Sequence, residues 1–265
     1  MKISPSSKSR MKISVLHIPH SSRFIPAEER ARFALSDIEL NAELLRMTDS
    51  FTDELFPPTD HEAQRIVFPV SRLVCDVERF PDDGNEPMAT RGMGAVYTVT
   101  STGARLRTEL SAAERERIMK RWYDPHHTVL TSAVDEVLAR HGRCIIFDCH
   151  SFSAHPLPHE PDQDPRRPDI CVGTDPVHTP PKLISVVARL ANDLGWSVAI
   201  DRPFAGALLP TKHYRADDRV NSIMIEVNRQ LYMDEQSGER LANFQGIKDG
   251  IGKIVSAAIA FLLEG

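Results

Sequence analysis

Short apolar runs rich in β-branched residues alternate along this chain with longer amphipathic stretches, and that alternation constrains its fold more than any other feature. Runs of about five apolar residues suit buried strands, whereas long amphipathic stretches need a sheet face to cover. The runs predict strands at Ile13 to Ile18, Ile66 to Val70, Cys144 to Cys149, Ile170 to Gly173, Ser197 to Ile200 and Ser222 to Val227. The amphipathic stretches predict helices at Ser36 to Leu55, Ser111 to Arg140, Pro181 to Leu194 and Leu241 to Leu263. The second of these opens on Ser-Ala-Ala-Glu, a capping box that satisfies the first free amides of a helix. The pattern is that of an α/β domain with three αβα layers and a mixed, largely parallel central sheet.

With 265 residues the chain can bury a sizeable core as one domain, without disulfides. Its 41% hydrophobic and 26% charged content and formal charge of -5 describe an ordinary globular protein. No Lys/Arg-rich aromatic stripe is present, so nucleic acid is not an expected partner. The start, MKISPSSKSR, lacks the apolar core of a signal peptide, and no stretch reads as a membrane span; a cytoplasmic location is expected. MKIS recurs at Met11, so residues 1–11 are expected to be a disordered extension or a misassigned start, and 12–265 the domain. Cys75, Cys144, Cys149 and Cys171 have no Cys-x-x-Cys spacing and read as small buried hydrophobes.

Two long stretches fit neither helix nor strand: Arg79 to Arg107 and Ser151 to Asp169. Long irregular segments in a compact domain are usually functional or disordered. The second, with its repeated prolines and charges, has the composition of a mobile surface loop. It also leaves directly from the most polar strand end in the chain, which suits a lid over a site.

That strand end is IIFDCHS, where Asp148 and His150 stand at i, i+2 and share one face of a strand. Open α/β sheets place their sites at such carboxyl ends. VLHIPHSS is a second such end, with His17 inside the run and His20 just after Pro19; SIMIEVNR is a third, with Glu226 late in an apolar run. A single histidine at a strand end is more often a hydrogen-bonded core side chain than a ligand. Glu226 could simply pair with Arg229 or Arg219. Together, however, imidazoles and carboxylates at strand termini are the donors of a catalytic zinc site.

Six segments in order resemble the N-formylglutamate amidohydrolase family: HIPHSS (from His17), TDSFTDELF (from Thr48), RLVCDVERFPDD (from Arg72), DCHSFSAHP (from Asp148), PDICVGT (from Pro168), and LPTKHY with IEVNRQLYM (from Leu209 to Met233). HSFS is also similar to the His-Ser-Tyr-Ser of zinc carboxypeptidases. The resemblance implies a phosphorylase/hydrolase-like fold and a metal held by His20, Asp49 and His150, with Asp49 supplied by the helix after the first strand. It sets His17 aside, because the family typically has a small residue there. Asp53, one turn from Asp49, is a weaker candidate. Asp148 is expected to orient a ligand or the water at the metal, and is itself a possible ligand. Glu226 takes the general-base position.

Amide hydrolysis then needs water, a carbonyl polarised by the metal, and a proton for the leaving amine. A cation near the developing oxyanion completes such a site, and Arg72, Arg79, Lys212 and His213 are the expected substrate-binding groups, with Arg91 a further candidate; the guanidinium groups among them would grip the carboxylates of an acidic amino acid. An internal pairing of Arg72 or Arg79 with Asp76 would account for one of them. The chain departs from the family at Arg229, where an uncharged residue is typical, and over RFPDDGNEPMATRGMGAVYT. The expected activity is metal-dependent hydrolysis of a linear amide, N-formyl-L-glutamate first among N-acyl amino acids. The expected cofactor is a divalent metal, zinc by donor chemistry, with Mn, Co or Fe able to substitute. A zinc carboxypeptidase or amidase, or a metal-free binding protein with a decayed site, are the alternatives. The presence of His20, Asp49, His150 and Glu226 counts against decay.

Overall fold

In the computed structural model, which describes residues 13–57 and 63–264, the apolar runs become one sheet. Its strands are β1 (Ser14–Ile18), β2 (Gln64–Val67), β3 (Cys144–Phe152), β4 (Ile170–Gly173), β5 (Val198–Ile200) and β6 (Val220–Asn228), in spatial order β2-β1-β3-β6-β4-β5. Every pairing is parallel except that of β4 with β6. The helices are α1 (Ala27–Arg30), α2 (Asp37–Met47), α3 (Thr52–Leu55), α4 (Ala112–Ile118), α5 (Asp124–His141), α6 (Pro181–Asp193) and α7 (Phe244–Glu264). The expected α/β class and mixed, largely parallel sheet are those observed. The extension expected over residues 1–11 lies outside the described residues.

Strand alternation divides the layers. Leu16, Ile18, Ile145, Phe147, Cys149, Ile223, Ile225 and Val227 pack with Leu183 and Val187 of α6 and Ile247, Ile251 and Ile254 of α7. On the opposite face Val15, Cys144, Ile146 and Val220 pack against Leu130, Val134, Val137 and Leu138 of α5. Continuing along that second face toward the carboxyl ends, the same alternation delivers His17, Asp148, His150 and Glu226 instead of apolar side chains. The site therefore occupies the part of the sheet where the apolar contacts of α5 give out.

A third cluster stands beside the sheet and joins Leu40, Leu44 and Met47 of α2 to Phe68, Val70, Leu73, Val77, Tyr97 and Leu106. The first long loop is thus packed, not loose: Met93, Ala95, Val96 and Tyr97 are buried, and Pro87–Arg91 forms a 3-10 turn. The four cysteines are free and buried, as their surroundings predicted. Among the described residues no helix is long and apolar enough to cross a membrane.

Several element boundaries differ from expectation, three of them for identifiable reasons. The helix expected over Ser36 to Leu55 breaks after α2, because Thr48 is extended (φ -84, ψ 134) and Phe51 is left-handed (φ 67). Phe51 stacks edge-on against Phe244 and Tyr232, and the Asp49 amide donates to the His20 carbonyl at 3.0 Å. The helix expected over Ser111 to Arg140 is interrupted by a π turn at Met119–Tyr123, just ahead of Pro125, which lacks an amide hydrogen. Strand β2 ends at Val67, not Val70, because Pro69 cannot extend the ladder. β3 instead runs to Phe152, so His150 lies inside a paired strand opposite Glu226.

Candidate metal centre and active-site cavity

His20, Asp49 and His150 come from three separate segments, yet one ligand-capable atom of each lies within 4.8 Å of the others. His20 follows β1 by two residues, Asp49 sits in the break between α2 and α3, and His150 projects from β3. Asp49 Oδ2 is 3.1 Å from His150 Nδ1 and 3.7 Å from His20 Nδ1. Asp49 is thus supplied by a helix break and not, as expected, by the helix itself. All three side chains are buried. His20 Nδ1 has no hydrogen-bond partner, although it is shielded from solvent. An unpartnered imidazole nitrogen facing a second imidazole and a carboxylate is the donor set of a zinc site, so these residues fit the implied metal.

Each imidazole is held from behind. His20 Nε2 lies 2.8 Å from Asp76 Oδ1, and His150 Nε2 lies 3.0 Å from Asp148 Oδ1. Both rings therefore turn Nδ1 toward Asp49, in the carboxylate–histidine arrangement that fixes the tautomer of a metal ligand. Burial opposes a charge on His150, but Asp148 and Asp49 outweigh it and hold its pKa well above the ordinary value. Burial likewise opposes ionisation of Asp49 and Asp76. The hydrogen bond from His150 and the charges of His20 and Arg229 overcome it for Asp49, and the charges of Arg72 and His20 do so for Asp76, leaving both well below the carboxylate range.

Glu226 faces the same space from β6, one strand over from His150. Its Oε2 is buried without a partner, and burial raises its pKa to about 8 against the opposing charges of His150, Arg229 and Arg72. It pairs with neither Arg219, which binds Asp217 at 2.7 Å, nor Arg229, which binds Asp49 Oδ1 at 3.0 Å. Together these groups line a cavity of about 230 Å³. Arg46, Arg72, Arg79 and Arg229 bring cationic side chains to its wall.

Among the expected substrate-binding residues, Arg72 and Arg79 reach this cavity. Arg72 is committed to Asp76 at 2.8 Å, whereas the nearest ion-pair distances of Arg79 are 3.6 Å to Asp76 and 3.9 Å to Glu86. Lys212 and His213 do not reach it. Both bind Asp135 of α5, at 2.7 and 2.9 Å, because the turn after Pro210 carries them onto the outer side of that helix. Arg91 is also outside and binds the His159 carbonyl at 2.8 Å, and Asp53 is exposed on α3. The proline-rich segment forms part of the cavity wall: Leu157, His159 and Glu160 line the cavity, and Arg167 binds Glu160 while packing over Phe152 and Phe204.

Of the supporting groups, Glu78 and His126 carried no sequence signal of their own, and His17 had been set aside. Glu78 and His17 form a second cluster with Asp148, and His126 from α5 joins it. Arg229, named in the sequence as a departure and as a possible partner of Glu226, is 4% exposed and also binds the Arg46 carbonyl and Ser151. A buried position immediately after a strand was the one available hint.

Known proteins resemble the chain as a whole. The model of the N-formylglutamate amidohydrolase family matches residues 14–233. A curated N-formylglutamate deformylase from Pseudomonas putida is 29% identical over 176 residues, and the alignment spans 62% of this chain and 62% of that relative. The crystal structure of N-formylglutamate amidohydrolase from Ralstonia eutropha JMP134 superposes with a TM-score of 0.81 at 24% identity, covering 93% of this chain and 92% of its own. A gene product of Agrobacterium tumefaciens of known structure gives 0.63 at 19% identity, covering 92% and 91%. These likenesses establish a shared fold, and the family match runs from β1 past β6, through every residue placed around the cavity. The chain belongs to the N-formylglutamate amidohydrolase family.

Proposed function

We propose that this protein hydrolyses the amide of a small N-acylated acidic amino acid, N-formyl-L-glutamate first, using a divalent cation held by His20, Asp49 and His150. The observation that carries this is the pair of buried, unpartnered atoms, His20 Nδ1 and Glu226 Oε2, on the walls of one cavity. When bound, the cation, zinc by donor chemistry, supplies Lewis acidity toward the amide carbonyl and toward water. Glu226 takes a proton from the attacking water and returns it to the leaving nitrogen as the C–N bond breaks. Formate and the free amino acid are the products. A buried carboxylate with a raised pKa is suited to both transfers.

Asp148 occupies Nε2 of His150, so that Nδ1 is the nitrogen turned toward Asp49 and the one that would serve the cation. Arg79, whose ion pairs are long, is assigned to a substrate carboxylate, with Arg72 beside it. A cavity of about 230 Å³ suits an N-acyl amino acid better than an extended peptide. We place the enzyme in the cytoplasm, where four unpaired cysteines fit a reducing environment. The test is elemental analysis of the purified protein joined to an amine-release screen over N-formyl and N-acetyl amino acids. Formate release from N-formylglutamate that is lost on chelation and restored by zinc is expected. No stoichiometric metal, with no metal-restored activity on any substrate, would refute the assignment.

A further inference from the structure

Behind His150 lies a chain of polar groups that the hydrolytic steps do not use. Asp148 Oδ1 meets His150 Nε2 at 3.0 Å and also His17 Nδ1 at 2.9 Å. His17 Nδ1 faces a second carboxylate, Glu78 Oε1, at 3.1 Å. Its other nitrogen lies 2.8 Å from His126 Nε2. His17 is 0% exposed, and His126 comes from the first turn of α5, packed edge-on against Phe68.

Two imidazole nitrogens can face each other at this distance only if one carries a hydrogen and the other does not. Burial opposes a charge on His17, but the hydrogen bonds and charges of Asp148 and Glu78 outweigh it and raise its pKa to about 9. Burial, and then the charge of His17, push His126 down to about 2. His17 therefore carries hydrogen on both nitrogens, and the bare Nε2 of His126 accepts one of them. Asp148 is fixed in turn by His150 and His17 on Oδ1 and by the Leu208 amide on Oδ2 at 3.0 Å.

We propose that His126 is a positioning residue for the metal ligand His150, acting through His17 and Asp148. This rests on His150 being a ligand. Without the His126 acceptor, a buried N–H of His17 loses its partner, an arrangement folded proteins avoid. His17 must then turn, which takes its Nδ1–H from Asp148, or shed the Nε2 hydrogen, which removes the positive charge that Asp148 faces; either change loosens the Asp148 carboxylate and with it the orientation of the His150 ring.

Wild type, His126→Gln and His126→Leu are compared by circular dichroism, by zinc affinity in competition with a chromophoric chelator, and by steady-state turnover. The Gln amide oxygen can accept from His17; Leu cannot. The expected result is zinc binding weakened by about 10–100-fold in His126→Leu, with kcat lowered and KM retained, and values within about threefold of wild type in His126→Gln. Unchanged zinc affinity in a folded His126→Leu overturns the proposal. If that variant does not fold, imidazole 15N shifts of the wild-type apoprotein decide: hydrogen on both His17 nitrogens supports it, and a single hydrogen overturns it. Two zinc ions per wild-type chain, with the second lost in His17→Asn, would make His17 a ligand and overturn it too. A wild type that binds no zinc overturns the ligand assignment beneath it, which is distinct from wild type and variant binding equally.

Discussion

Glu226→Gln separates what this carboxylate does for the reaction from what it costs the fold. In the metal-free protein, burial moves the carboxyl from 4.5 to about 8. The unfolded chain ionises it freely above the lower value; the folded chain resists until the higher one. The raised pKa therefore contributes stability that is fully present below about pH 4.5 and is lost as the pH rises to about 8. At pH 7 the loss is about 3 kcal/mol on the basis of 1.36 kcal/mol per pKa unit. Gln fills the same space without titrating, so the metal-free variant gains up to that amount at pH 7 and converges on wild type near pH 4. Turnover of the metal-loaded variant falls by about 10²–10⁴-fold, the usual worth of a general acid–base group, while zinc binding persists. Urea unfolding of the metal-free proteins at pH 4, 7 and 8.5, together with formate release at pH 7, measures both. Retained turnover removes Glu226 from the proton transfers. A variant no more stable than wild type at pH 7 refutes the burial argument separately.

Two further outcomes follow from the cavity wall. Arg79→Met is expected to raise KM for N-formylglutamate by about 30-fold, the worth of one charge-assisted contact of about 2 kcal/mol, with kcat little changed in initial-rate assays. An unchanged KM would show that another cation holds the carboxylate. Lys212→Ala is expected to leave both kinetic constants as in wild type and to shift unfolding by less than about 1 kcal/mol, since its pair with Asp135 is largely exposed. A raised KM would return Lys212 to the substrate site.

What could be read from the sequence follows how far each signal travels along the chain. Asp148, His150 and Glu226 were visible because each interrupts an apolar strand on the face where another hydrophobe belonged. The sheet was legible for the same reason. Asp49 was reached through family resemblance, and its position in a helix break was not, because that break depends on Phe51 packing against Phe244 from near the opposite end of the chain. Lys212 and His213 looked like site residues as cations within the family-like segment LPTKHY, but a turn of the backbone directs them to Asp135. His17 was set aside because one residue type is unusual at its position. Its role depends on Glu78 and His126, distant partners that no local pattern connects to it.

The π turn between α4 and α5 has a geometric consequence for the centre it does not touch. The Asp124 amide reaches back five residues to Met119, one more than in an α-helix. An added residue advances everything after it by about 100° around the helix axis. His126 lies two residues beyond Asp124, so the extra step sets which way that imidazole faces. A loop of backbone slack, accommodated where Pro125 would in any case have broken the ladder, therefore phases a surface helix to a buried strand. A ring sent around the cylinder by that angle could not meet His17.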